Sequence, residues 1–321
     1  MGNSTIDCIK ERVNKKKAIV VYSGTLAIES ALISLNIGLN DKVLIASSVC
    51  YSIPEAIIKI GAIPVIVVPK NGLIFCEEEV QEVIKKENIR CIILVHQYGI
   101  GQSIKSIRNI APSIPIIEDI AQAWGIKIKG EKIGEYSDVV ITSFGKTKPL
   151  SLGYGGALFS DNDLSEIFDF YNIDSRENKS KMVPYYFEYA TNINFNKLMH
   201  KADKIVSKQR AVATILSGLF TIKGIEGYIE DNGDLFTWHR FPINIKNRKM
   251  FNTIRELLEK NDVKYQFPHD EELFEIPLLK HSKFKLYNNY KKRNILIIRT
   301  RTNKLRNVKK FVNAVKKFYS N

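Results

Sequence analysis

Short runs rich in β-branched residues alternate with segments of helical period from Ala18 to Ser160. The runs Ala18–Tyr22, Lys42–Ser47, Ile63–Val68, Arg90–His96, Ile114–Ile117, Val139–Phe144 and Gly156–Ser160 read as strands. Several are apolar throughout, as in strands covered on both faces. Between them, Thr25–Leu35, Ile53–Ile60, Glu77–Lys86 and Ile104–Ile110 repeat apolar residues at helical spacing. Strands alternating with crossover helices predict an α/β fold, a three-layer sandwich around a mainly parallel central sheet. From Asn172 to Asn196 no period is visible and Asn, Tyr and Ser abound, which predicts an irregular excursion. Lys197–Leu219 then predicts a long helix. Trp238–Ile245, Arg248–Lys260, Asn294–Thr300 and Leu305–Phe318 predict a strand, helix, strand, helix order in a smaller C-terminal α/β domain. The chain has 321 residues, more than one core usually fills. The expected division is 1–196 for the large domain and 197–321 for the linker helix and small domain.

Composition narrows the class without naming it. Hydrophobic residues make up 45% and charged residues 26% of the chain, as in folded globular proteins. A formal charge of +14 would suit a polyanion, but the cations lie in scattered short runs such as Lys15–Lys17, Lys291–Arg293 and Lys316–Lys317. Such runs read as solvated surface rather than as a nucleic-acid site. A basic field of this kind can still draw in phosphorylated small molecules. Cys8, Cys50, Cys76 and Cys91 have no C-x-x-C spacing and no neighbouring His cluster, so no metal site is expected. A reducing, cytoplasmic location is expected. The N-terminus does not read as a secretory signal, and the apolar stretch near Thr214–Ile229 is interrupted by Lys223, Glu226 and glycines, so no membrane span is expected.

Three segments carry candidate chemistry. Ser23-Gly24-Thr25 sits where a strand gives way to a helix, a junction whose free amides and helix dipole favour a phosphate. The same tripeptide also suits a plain helix cap. Glu118-Asp119 follows the apolar run Ile114–Ile117 and lies at a strand's C-terminal end, where open α/β sheets bind ligands. A capping role suits an acid there equally well. Ser143-Phe144-Gly145-Lys146-Thr147-Lys148 opens a glycine-rich turn between two apolar strands. A lysine desolvated there would have a lowered pKa and a nucleophilic amine, whereas Lys146 and Lys148 would otherwise be ordinary loop lysines. No Walker-type G-x-x-x-x-G-K-[ST] pattern occurs, which speaks against nucleotide hydrolysis.

Taken in order, Ser23-Gly24-Thr25, Gly61-Ala62-x-Pro64-Val65, His96-x-Tyr98-Gly99, Glu118-Asp119-x-x-Gln122-Ala123 and Ser143-Phe144-x-x-x-Lys148 resemble the motifs of the DegT/DnrJ/StrS family. These are fold-type I enzymes dependent on pyridoxal 5'-phosphate (PLP) and best known as nucleotide-sugar aminotransferases. The resemblance covers about Lys17–Asp161, with weaker similarity in Lys201–Leu216 and near the C-terminus. It implies that Lys148 holds the cofactor as an imine and then shuttles the substrate proton, with Asp119 keeping the pyridine nitrogen protonated. It further implies that Gln122 lies against the ring and that the backbone of Gly24 and Thr25, with the Ser143 hydroxyl, holds the phosphate. The family's lysine spacing selects Lys148 over Lys146. An aromatic ring usually stacks on the cofactor from the segment reading Ser47-Ser48-Val49-Cys50-Tyr51. Ungapped alignment puts Cys50 there, and Tyr51 is chosen because an aromatic face stacks better than a thiol. His96 and Tyr98 read equally as site or packing residues.

The implied reaction is transamination from an amino acid donor, glutamate by analogy, to a keto group on a nucleotide-linked sugar, in polysaccharide or antibiotic biosynthesis, by a homodimer. The chain departs from the family at Val183–Phe187, where an Asn and Arg motif that reaches the neighbouring subunit is missing, and at its short leading segment. Family relatives that act as sugar dehydratases carry histidine where this chain keeps Lys148. A PLP-dependent lyase, decarboxylase or replacement enzyme, and a non-catalytic regulatory relative, are the alternatives.

Overall fold

The computed structural model describes residues 6–70, 72–164, 167, 193–268, 277–280, 283–287 and 294–319. The alternation seen in the sequence becomes a sheet of eight strands. They are β1 (Lys17–Val21), β2 (Lys42–Ala46), β3 (Ile63–Val67), β4 (Ile89–Val95), β5 (Ile116–Asp119), β6 (Val139–Ser143), β7 (Gly156–Ser160) and a late strand, β11 (Lys285–Tyr287). Their spatial order is β1-β7-β6-β5-β4-β2-β3-β11, with β7 antiparallel to both its neighbours and the other pairs parallel. Four helices fill the crossovers of the parallel part: α2 (Gly24–Ser34), α3 (Ser52–Lys59), α4 (Glu77–Lys86) and α5 (Ile104–Ile110). A short α1 (Asp7–Arg12) precedes β1.

The central strands are apolar on both faces because both are covered. Along β6, Val139 and Ile141 join one buried cluster and Val140 the other; along β7, Leu158 joins the first while Ala157 and Phe159 join the second. Successive side chains of a strand point to opposite faces, so this split is the period of two made visible. One cluster lies against α2 and α3, and the other runs on into α6 (Phe195–Ser217) and the second sheet. That gives the three layers expected.

The second sheet has four antiparallel strands in the order β10-β12-β9-β8. They are β8 (Ile225–Glu226), β9 (Arg240–Ile245), β10 (Tyr265–Gln266) and β12 (Ile295–Arg299), packed by α7 (Arg248–Lys260) and α8 (Leu305–Tyr319). Asn194 caps α6 by accepting from the Lys197 amide at 2.9 Å. The stretch expected to be irregular, 172–196, and the departure at Val183–Phe187 lie almost wholly or wholly outside the described residues.

Some boundaries differ from expectation for physical reasons. β5 begins after Pro115 and continues through Glu118 and Asp119, because those two pair with Val140 and Ile141 of β6. β9 starts at Arg240 rather than Trp238, since Trp238 holds a left-handed backbone at φ 53 that no strand accommodates. β8, β10 and β11 span two or three residues, too few to show a period.

Candidate active site

β4, β5 and β6 run parallel, so their C-terminal ends open at one edge of the sheet. A cavity of about 280 Å³ sits at that edge. Its lining includes Ser23, Gly24 and Thr25 from the start of α2, Cys50 and Tyr51 from the start of α3, Gln97 just beyond β4, Asp119 and Gln122 from β5 and its turn, and Ser143 and Lys148 from β6 and its loop. Every residue singled out in sequence for cofactor binding therefore meets in one place.

The floor is the start of α2. Ser23 has extended backbone and its hydroxyl accepts from the Leu26 amide at 3.0 Å, so it is the N-cap. The amides of Gly24 and Thr25 have no intrahelical acceptor. Close approach explains the glycine: a Cβ on Gly24 would stand 2.8 Å from Ser143 Cβ and 3.0 Å from its hydroxyl oxygen. Across the junction, a Cβ on Gly156 would meet the Ser23 carbonyl oxygen at 2.7 Å. Capping and an anion site are therefore compatible here, since the cap occupies the Leu26 amide and leaves those of Gly24 and Thr25 to the cavity. The Ser143 hydroxyl, which also accepts from the Gly145 amide at 3.2 Å, joins these amides in a cradle of the kind that suits an oxyanion.

The two consecutive acids separate. Asp119 is 6% exposed and faces the cavity, where its Oδ1 accepts from the Ala121 amide at 2.8 Å. Burial pushes its carboxyl above the usual range, against the pull of that amide and of Lys148. Glu118 points to the other face, where it meets His96 (Nε2 to Oε1, 3.0 Å), the Ser137 hydroxyl at 2.8 Å and the Gly134 amide at 2.9 Å. His96 is accordingly a packing and hydrogen-bonding residue here, and Tyr98, fully buried with φ 58, belongs to the core.

The lysine loop turns back at once. The Lys148 amide donates to the Gly145 carbonyl at 2.9 Å, while Lys146 is exposed. Lys148 keeps part of its length in solvent, but its amine lies deep among protein atoms, and that burial lowers its pKa from the usual lysine value. Asp119 acts in the opposite sense and restrains the shift. Of the two loop lysines, Lys148 is the one that lines the cavity, and a lowered pKa favours the free amine that a nucleophile needs.

A polar chain crosses the back of the cavity: Gln122 Nε2 donates to Gln97 Oε1 at 3.1 Å, and Gln97 Nε2 to the Ser48 carbonyl at 2.6 Å. Gln97 was not singled out in sequence, although it is the unnamed position of His96-x-Tyr98-Gly99. Tyr51 is 59% exposed, whereas Cys50 is half-buried and close enough to Lys148 to bear on its charge. From the second sheet, Arg301 donates to the carbonyls of Thr147 and Lys148, each at 3.1 Å, another contact with no sequence signal.

The model of the DegT/DnrJ/EryC1/StrS aminotransferase family matches residues 8–297. GDP-perosamine synthase of Vibrio cholerae is 26% identical over 306 residues, covering 89% of this chain and 82% of that one. Among solved structures, S. venezuelae DesV in complex with ketimine intermediate superimposes with a TM-score of 0.82 at 22% identity, covering all of this chain and 90% of that one. The E. coli GDP-4-keto-6-deoxy-D-mannose-3-dehydratase with bound hydrated PLP does so with a TM-score of 0.80 at 16% identity, covering 99% of this chain and 92% of that one. These two likenesses show a shared fold. Among the described residues, no helix is long and apolar enough to cross a membrane.

Proposed function

Because this chain belongs to the DegT/DnrJ/EryC1/StrS aminotransferase family, we propose that it uses PLP to move an amino group from an amino acid, glutamate first, to the keto group of a nucleotide-linked sugar. The observation that carries this reading is the meeting of Lys148 and Asp119 in one cavity floored by the Gly24 and Ser143 cradle. The donor set fits PLP at each end: unpaired helix amides and a hydroxyl suit a phosphate, and a buried carboxylate suits a protonated ring nitrogen. When bound, PLP supplies an aldehyde for amines and a ring that disperses the electron pair left by proton removal.

The chain's own groups then have separate tasks. Lys148, whose pKa burial lowers, would hold the cofactor through its amine and would move a proton to or from the substrate carbon. Asp119, buried at the cavity wall, would hold the proton on the ring nitrogen. Gln122, tied through Gln97 to Ser48, would lie against the ring. Gly24, Thr25 and Ser143 would hold the phosphate. Tyr51 or Cys50 would cover the ring face, and the half-buried position of Cys50 favours the thiol.

The acceptor class rests on what relatives are called, GDP-perosamine synthase among them. A homodimer is the expected assembly and a reducing cytoplasm the expected location. The test is direct. Purified protein supplied with PLP should absorb in the visible range, and added glutamate should abolish that band with release of 2-oxoglutarate. A protein that stays colourless would overturn the reading; a coloured one that releases no oxo acid from any donor would point to a different reaction on the same cofactor.

A further inference from the structure

A hydrogen-bond chain starts at the cofactor cavity and ends beside the second sheet. Gln122 Nε2 donates to Gln97 Oε1 at 3.1 Å, and Gln97 Nε2 donates to the Ser48 carbonyl at 2.6 Å. Ser48 is held in turn: its hydroxyl donates to the Leu73 carbonyl at 2.6 Å, and the Leu73 amide donates to the Tyr228 hydroxyl at 2.8 Å. Tyr228 lies just after β8, so the second sheet steadies the loop on which the chain rests. Gln97, Ser48 and Leu73 are buried, and both glutamines line the cavity.

The direction of this chain is set at one atom. The two ends of a glutamine amide have nearly the same size, so shape does not tell them apart and only their partners do. A backbone carbonyl can only accept. The Ser48 oxygen therefore takes the nitrogen end of Gln97, which leaves Gln97 offering its oxygen to Gln122. Gln122 has to answer with its nitrogen. Turning Gln122 over would bring two amide oxygens together, and turning both side chains would set the Gln97 oxygen against the Ser48 oxygen. Gln97 is fully buried, so no water offsets either arrangement, and an unmade buried hydrogen bond is costly.

We propose that Gln97 is a positioning residue: anchored on the Ser48 carbonyl, it fixes which end of the Gln122 amide meets the cofactor. With its nitrogen turned to Gln97, Gln122 has its carbonyl oxygen and one amide hydrogen left for a ligand in the cavity. The PLP ring carries an oxygen beside the carbon that bears the aldehyde, and this oxygen shares a proton with the nitrogen that Lys148 would supply. The remaining Gln122 hydrogen would donate to that oxygen and weaken its hold on the shared proton. An amide free to turn would present its own oxygen there part of the time and strengthen that hold. The titratable groups facing the cavity are Cys50 and Tyr51 from the start of α3, Asp119 from β5 and Lys148, on which Arg240 also bears from the second sheet. Gln97 adds no charge to this set. The assignment rests on the aminotransferase reading above.

The test follows the visible band of PLP-loaded protein across pH, whose midpoint reads the affinity for the shared proton. Gln97→Leu should raise the midpoint by about half a pH unit or more. In a Gln122→Leu background the same substitution should leave the midpoint where Gln122→Leu alone puts it, because the effect runs through that amide. A residue that merely fills space would act alike in both backgrounds. Ser48→Ala keeps the carbonyl but loses its tether to Leu73; it should raise the midpoint by less and carries the test if Gln97→Leu does not fold. An unchanged or lowered midpoint in the variant that folds, or a shift that persists without Gln122, overturns the assignment. A wild type that takes up no PLP sinks the aminotransferase reading and this one with it, whereas a coloured wild type whose midpoint the variant leaves unmoved sinks only this one.

Discussion

Glu118 and Asp119 are neighbours in sequence with opposite surroundings, and the difference decides what each can do. Glu118 is committed to His96, Ser137 and Gly134, whereas Asp119 accepts through Oδ1 from the Ala121 amide and faces the cavity. Asp119→Asn should leave cofactor bound but slow proton abstraction by roughly 10²-fold or more. Single-turnover absorbance measures this, and unchanged turnover would remove Asp119 from the mechanism. The two loop lysines differ in the same way. Lys146 is exposed and Lys148 enclosed, so borohydride should fix cofactor to the wild type and to Lys146→Ala but not to Lys148→Ala. An adduct surviving in Lys148→Ala, located by peptide mass spectrometry, would mean that another amine does the work.

At the scale of elements, β11 shows how a segment with no period of its own is held. It adds to β3 at the sheet edge through three residue pairs, and its side chains converge on Glu87 at the end of α4. Glu87 accepts from Lys42 at 2.7 Å, from Lys285 at 2.7 Å and from the Tyr287 hydroxyl at 2.6 Å. These donors, Lys285 foremost, hold its carboxyl down to about 2. A carboxyl whose folded pKa lies below its unfolded value stabilises above the unfolded value and loses that contribution as pH falls toward the folded one. The melting temperature of Glu87→Gln should therefore fall below wild type at pH 7. The gap should close as pH drops from about 5 toward 2. A gap that stays constant across that range would show that Glu87 acts by packing alone.

For the whole molecule, the join between the two sheets matters most, because it carries Arg301 to the lysine loop. A shared hydrophobic cluster fills the join, and hydrogen bonds around Gly99 and Thr237 fix it near the site. The Gly99 carbonyl accepts from the Thr237 amide at 2.9 Å, and the Thr237 hydroxyl donates to the Gln122 carbonyl at 3.0 Å. Gly99 has φ 77, and a Cβ there would stand 2.2 Å from Thr237 Oγ1 and 2.8 Å from the His239 amide nitrogen. Gly99→Ala should cost about 2–4 kcal/mol through strain and overpacking, read by denaturant unfolding. It should weaken donor binding more than cofactor binding, since the first sheet alone builds the cradle. Sedimentation of the loaded protein tests the assembly: a dimer is expected, and a monomer at working concentration would restrict the site to this one chain.

Local chemistry determined most of the large sheet and the candidate site. Alternating apolar runs and helical periods are properties of short segments, and they placed β1 to β7 and α2 to α5 to within about two residues of where they lie. The cofactor candidates were legible for the same reason, since each sits on a strand end or helix start within a short motif, and parallel strands bring such ends to one edge. What only tertiary structure decided depends on neighbours distant along the chain. Which of Glu118 and Asp119 faces the cavity followed from the register of β5 against β6. The choice between Lys146 and Lys148 gained its physical basis from burial. Gln97 and Arg301 acquired meaning only when the turn after β4 and a second sheet were folded against the lysine loop. Burial, pKa and charge clustering are set by what surrounds a group in space, and no spacing along a single chain encodes that.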